Sequence, residues 1–111
     1  MKLEGEGTLL RIFVGEADTW HDRPLYQAIV ERAREAGVAG ATVLRGIAGF
    51  GASSRIHTAH ILRLSEDLPL VIEIVDTTEK ITSLLPALDE MVSEGLVTLE
   101  RVQVISHRGR T

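Results

Sequence analysis

Gly46, Gly49 and Gly51 stand within six residues of one another and run into Ala52, Ser53 and Ser54. Glycine leaves backbone N–H groups uncovered, and consecutive uncovered amides in a tight turn can receive an anion such as a phosphate. The same glycines would serve equally as a bulge or a hairpin corner. They follow a strand, open no helix and lack a Walker lysine, so neither a P-loop nor a Rossmann fingerprint fits. Arg45, Arg55 and Arg63 flank this stretch, and Arg108 lies near the end of the chain. A planar guanidinium grips phosphate through two parallel hydrogen bonds, so these four could form a basic cluster if the loop folds over a cleft, with Arg108 and Arg45 among the candidate ligands. The other reading of these arginines is four separate, solvated side chains.

His57 and His60 are three residues apart. On a helix that spacing shares a face; on a strand it points the rings in opposite directions. A zinc ion would need a third ligand, such as His21 or Glu73, brought in by the fold. Otherwise the two are surface histidines that titrate near neutrality. Glu16, Asp18 and Asp22 gather around Trp20 and His21. Asp22 is accounted for as a helix cap, which weakens any acid–base role for the group. Trp20 suits covering apolar area on a partner subunit better than stacking on a base. Glu73 interrupts an apolar strand, and pairing with Arg11 or Arg101 of another strand suits it better than catalysis. No nucleophile–base pair is recognisable, so the chain does not read as an enzyme.

These side chains belong to 111 residues, expected to form one domain spanning 1–111. Hydrophobic residues make up 44% and aromatics 4%, so Ile, Val, Leu and Ala must build the core. Twelve basic against sixteen acidic residues leave a net charge of −4, unsuited to sequence-independent binding of nucleic acid. RNA binding on a sheet is disfavoured further because the strands lack paired aromatics. The absence of cysteine excludes disulfides, thiolate zinc sites and cysteine nucleophiles. No apolar stretch approaches the ~20 residues of a membrane helix, and Met1-Lys2-Leu3-Glu4-Gly5 has no apolar signal core, which predicts a cytoplasmic protein.

Leu9 to Val14 reads as a strand ending at Gly15, and Glu16 to Asp22 as a polar loop. Asp22 as N-cap, Pro24 in the first turn and apolar residues at 25, 28, 29, 33 and 36 predict a helix stopped by Gly37. Residues 41–47 form the next strand, 60–64 an extended segment and 70–75 the strongest strand. Asp76 and Glu79 resemble a capping pattern for a second helix with its stripe at 81, 84, 85, 88, 91 and 92. Pro86 within that stripe should kink the helix or restart it from Ser83. Val102 to Ile105 is the last strand, followed by a short basic tail. Two such βαβ units predict an α+β ferredoxin-like sandwich (βαββαβ): one antiparallel sheet with both helices on one face. The 70–75 strand is apolar on both sides, so the other face needs a cover, and a further copy of the chain would supply it.

Gly40-Ala41-Thr42-Val43, Gly49-Phe50-Gly51 and Val71-Ile72-Glu73-Ile74-Val75 are similar in order and spacing to the PII signalling proteins. The longer run, from Pro24-Leu25-Tyr26 through Gly46–Ala52 to Leu64–Pro69, more closely resembles the PII-like group known as domain of unknown function 190. This resemblance implies a homotrimer that binds an adenine nucleotide in each cleft between subunits. It implies that Thr42 bonds the adenine, that Gly49, Phe50 and Gly51 bring backbone to the ribose and phosphates, and that Arg108 reaches phosphate from the neighbouring subunit. The chain also departs from the PII pattern. A second C-terminal arginine falls on Ser106, and residues 95–100 lack the glycine-rich loop and its lysine. Two missing cations favour AMP or ADP over ATP. The loop tyrosine modified in some PII proteins is missing, since Tyr26 is the chain's one tyrosine. The resemblance further implies a flexible loop, Ala52 to Thr58, offered to a partner such as the cytoplasmic face of a membrane transporter or channel. The alternative is a divalent-metal-responsive trimer resembling the cation-tolerance proteins, using His57, His60 and a carboxylate.

Overall fold

Aliphatic residues at every second position of Leu10, Ile12 and Val14, and again of Leu70, Ile72 and Ile74, give two strands one fully buried face each. The computed structural model describes residues 4–51 and 67–109. In chain order these form β1 (Gly5–Gly15), β2 (Thr19–Trp20), β3 (Arg23–Pro24), α1 (Leu25–Glu35), β4 (Thr42–Arg45), β5 (Pro69–Asp76), α2 (Thr78–Met91) and β6 (Leu96–Val104). The main sheet has the order β4-β5-β1-β6, antiparallel throughout. Each βαβ crossover therefore skips one strand, which is the ferredoxin-like arrangement. Both helices cover the face carrying Leu10, Ile12, Ile72 and Ile74, and contribute Leu25, Ala28, Ile29, Ala33, Ile81, Leu84, Leu88 and Met91 to one core. Burying each of the larger side chains is worth about 1.5–3 kcal/mol. The extended segment expected at 60–64 lies outside the described residues.

Several local expectations are corrected. The region 16–22 is not simply a loop: β2 and β3 pair Thr19 with Pro24 and Trp20 with Arg23, leaving His21 and Asp22 as a two-residue turn with positive φ at both. That is the turn whose twist matches a hairpin, and aspartate tolerates it. Asp22 is thus a turn residue, and α1 begins after Pro24 without a side-chain cap. Trp20 packs on its own chain's core and stacks on His21, ring centroids 3.7 Å apart. The cap of α2 is Thr77, whose hydroxyl accepts the Lys80 amide at 3.2 Å; Asp76 has another task, described below. α2 runs unbroken through Pro86, because Pro86 and Thr82 are exposed and water can take the carbonyl the proline cannot serve. Ser83 bonds the Lys80 carbonyl and caps nothing. The last strand starts six residues earlier than Val102, and all nine of its residues pair with β1.

The face away from the helices carries Thr42 and Leu44 of β4, Val71, Glu73 and Val75 of β5, Leu9, Arg11 and Phe13 of β1, and Leu96, Thr98 and Glu100 of β6, as the register requires. Leu44 and Leu96 are about half exposed there. Across its middle Arg11 Nε donates to Glu73 Oε2 at 2.9 Å and Nη1 to Glu100 Oε1 at 3.1 Å. The Glu73 hydrogen bond leads the effects that raise the Arg11 pKa above its ordinary value. The pairing expected of Glu73 forms within one chain, across neighbouring strands.

Candidate functional site

Asp76 is fully buried at the end of β5, and buried carboxylates require hydrogen-bond donors. It accepts the Thr77 amide at 2.7 Å and, through its other oxygen, the Ala39 amide at 2.8 Å. The second bond ties the connection between α1 and β4 to the sheet. Gly37 ends α1 in the left-handed region at φ 79°, and the Lys80 ammonium caps the helix by donating to the carbonyls of Ala36 and Gly37 at 3.3 and 3.1 Å. Residues 39–41 are thereby held at the sheet's edge. With Thr42, Glu73, Val75, Leu9 and His107 they line a groove of about 380 Å³. Thr42 and Glu73 face each other in the β4–β5 register. His107, from the segment after β6, is half-buried over the same groove, and its Nδ1 is buried without a hydrogen-bond partner among the described residues. The arrangement offers a slot with an aliphatic floor, one hydroxyl, one carboxylate and one imidazole.

The other candidate residues stand elsewhere along β4. Arg45 ends this strand, about 10 Å from Thr42 at the usual rise per residue. Its guanidinium donates to the Glu16 carboxylate, so the side chain proposed for phosphate already has a partner. Gly46 is a corner: its amide bonds the Pro69 carbonyl at 2.7 Å, and a Cβ there would lie 2.9 Å from Pro69 Cγ. Gly46 N–H is therefore unavailable to an anion. Gly49 has φ 139°, a conformation L side chains avoid, and Gly49, Phe50 and Gly51 are all exposed, Phe50 to 69%. Arg108 is exposed and follows His107, so it stands at the Thr42 end of β4. Within one chain Thr42 and the 107–108 segment come together, and Arg45 with Gly49–Gly51 follows at the far end.

His57, His60 and the segment 52–58 lie outside the described residues. Of the third ligands considered for a metal, His21 is in the β2–β3 turn and Glu73 bonds Arg11. Among the described residues no three His, Cys, Asp or Glu side chains gather as a metal site. Residues 95–100 are mostly strand, and Gly95 is needed where the chain passes β1, since a Cβ would come within 2.6 Å of the Phe13 carbonyl. No sequence spacing marks His107 or Ala39–Ala41 as walls of one groove. The Asp76–Ala39 bond spans 37 residues and has no local signature.

The family DUF190, described as an uncharacterized ACR, matches residues 7–104. This chain belongs to the DUF190 family. A UPF0166 protein of Aquifex aeolicus is 43% identical over 97 residues, covering 87% of this chain and 91% of the relative. Among solved structures the DUF190 chain is similar to CPII of Thiomonas intermedia K12 bound to ADP, AMP and acetate, with TM-score 0.64 and 21% identity over 99% of this chain and 94% of that one. It is similar also to the apo form of CPII, a nitrogen regulatory PII-like protein, with TM-score 0.62 and 18% identity over 94% and 97% of the two chains. At that identity the likeness establishes the fold: this DUF190 chain has the PII-like form of the ferredoxin-like sandwich.

Proposed function

We propose that this DUF190 chain is a PII-like regulatory protein, not an enzyme, that binds an adenine nucleotide in clefts between the subunits of a homotrimer. The observation that carries the reading is the division of β4: the Thr42 groove at one end, the exposed Gly49–Gly51 backbone with Arg45 at the other. A nucleotide can reach from one to the other, with adenine at Thr42 and phosphate at the glycines. Arg108 stands at its own chain's Thr42 end, which suits a role in serving a neighbouring subunit. CPII, bound to ADP and AMP on the same fold, supports the choice of ligand. The sheet face away from the helices, with Leu44 and Leu96 half exposed among the described residues beside the Arg11–Glu73 pair, supports burial against further copies.

AMP or ADP is favoured over ATP because Ser106 and residues 95–100 supply no cation. Binding would shift residues 52–58 toward a form that docks on a partner, for which the cytoplasmic face of a membrane transporter or channel is our candidate. None of the helices among the described residues is long and apolar enough to cross a membrane itself. A cytoplasmic location follows from this reading. The divalent-metal alternative rests on His57 and His60, and no observation favours it. The test is a pair of substitutions. Thr42→Val should weaken AMP and ADP about equally, by roughly fivefold for one lost hydrogen bond. Arg108→Ala should weaken ADP more than AMP. Unchanged affinities in both variants would contradict the assignment.

A further inference from the structure

Glu16 is fixed more firmly than the arginine it holds. Its amide donates to the Leu68 carbonyl at 2.8 Å, and the next amide, Ala17 N–H, donates to Asp67 Oδ1 at 3.0 Å. One residue earlier, Gly15 N–H donates to Asp18 Oδ2 at 2.9 Å. The Glu16 side chain is 30% exposed, and that of Arg45, with its guanidinium on the Glu16 carboxylate, is 61% exposed. Glu16 thus holds the Arg45 guanidinium, while Asp18 and Asp67 fix the backbone on either side of Glu16. Asp18 and Asp67 are occupied by backbone N–H groups, whereas Glu16 is occupied by Arg45.

We propose that Glu16 is the residue that sets how much phosphate charge this site accepts. The proposal rests on the nucleotide reading above and adds a specificity determinant to it. Phosphate arriving at Gly49–Gly51 must share Arg45 with Glu16 or draw it away, and the Glu16 carboxylate repels the newcomer either way. An exposed ion pair is a weak competitor, so the site is biased and not closed. Because the penalty acts through charge, it grows from adenosine, which has none, through AMP to ADP and ATP. The neutral Glu16→Gln keeps a hydrogen-bond acceptor for Arg45 but removes both the ionic competition and the repulsion.

The experiment is calorimetric titration of the full chain, wild type and Glu16→Gln, with adenosine, AMP, ADP and ATP, repeated for Glu16→Ala and in an Arg45→Gln background. Both Glu16 variants should gain about three- to fivefold in ADP affinity, at least as much for ATP, and nothing for adenosine. With Arg45→Gln already present, the competition for the guanidinium is gone and only the direct repulsion remains, so the gain should be smaller than with Arg45 in place. Binding by the wild type with no change in the ratio of ADP to adenosine affinity in either Glu16 variant overturns the role of Glu16 alone. An undiminished gain without Arg45 overturns it too. Failure of all four compounds to bind any of the folded proteins overturns the nucleotide reading and this role with it.

Discussion

Arg11 and Glu73 face each other across β1 and β5 and are joined at 2.9 Å on the side of the sheet away from α1 and α2. Glu100 completes the group from β6. In an isolated chain such a pair is accessible to water and contributes little. Buried between subunits of the proposed trimer the group becomes consequential, because removing Glu73 leaves Arg11 with Glu100 alone and upsets its charge balance. Glu73→Leu should therefore leave the subunit folded and weaken trimer association by at least about tenfold, measured by sedimentation equilibrium. A trimer of unchanged affinity would place this face outside the interface.

The same pair carries a pH expectation. Glu73 raises the Arg11 pKa in the folded state, so its contribution is fully present below the ordinary arginine value and is lost only as pH rises through the raised one. Arg11 adds no pH dependence to stability across the neutral range. Urea unfolding of wild type and Arg11→Met at several neutral pH values should give a constant difference between them.

Asp76→Ala removes the acceptor of two partly buried amide bonds, from Ala39 and Thr77. Each unsatisfied donor costs about 1–3 kcal/mol, so the variant should lose about 2–6 kcal/mol in urea unfolding. It should also weaken ligands of the Thr42 groove, because Ala39 is one of that groove's walls. Full stability would show that the fold replaces those bonds.

At Gly95 an added Cβ would lie 2.6 Å from the Phe13 carbonyl oxygen, a backbone atom that cannot swing aside. Gly95→Ala should cost about 1–3 kcal/mol, read from the same unfolding experiment. Gly51→Ala, which meets nothing within 4 Å, is the control and should be nearly neutral for stability.

These outcomes follow the division between what local pattern reveals and what it hides. The helices and the 70–75 strand were legible because apolar spacing reports which face is buried. β6 was read short because Thr98, Glu100 and Arg101 interrupt its apolar run, although an exposed edge strand tolerates charge. The β2–β3 hairpin escaped because Trp20-His21-Asp22-Arg23 lacks the glycine that usually marks such a turn. Asp76 has the type and place of a cap, and its real task depends on Ala39, far away in sequence. At the proposed site, Thr42 rests on the resemblance, and Gly49–Gly51 on both their residue types and the resemblance. His107 in the groove and Glu16 on Arg45 depend on tertiary placement, which no spacing encodes.

The most direct test of the central claim is calorimetric titration of the chelator-treated wild-type protein with AMP, ADP and ATP in turn. Saturable binding near one nucleotide per chain, with AMP or ADP tighter than ATP, is the predicted result. Absence of binding by a folded protein would contradict nucleotide sensing and leave only the PII-like fold. A clear preference for ATP would contradict the missing-cation account of the phosphate end.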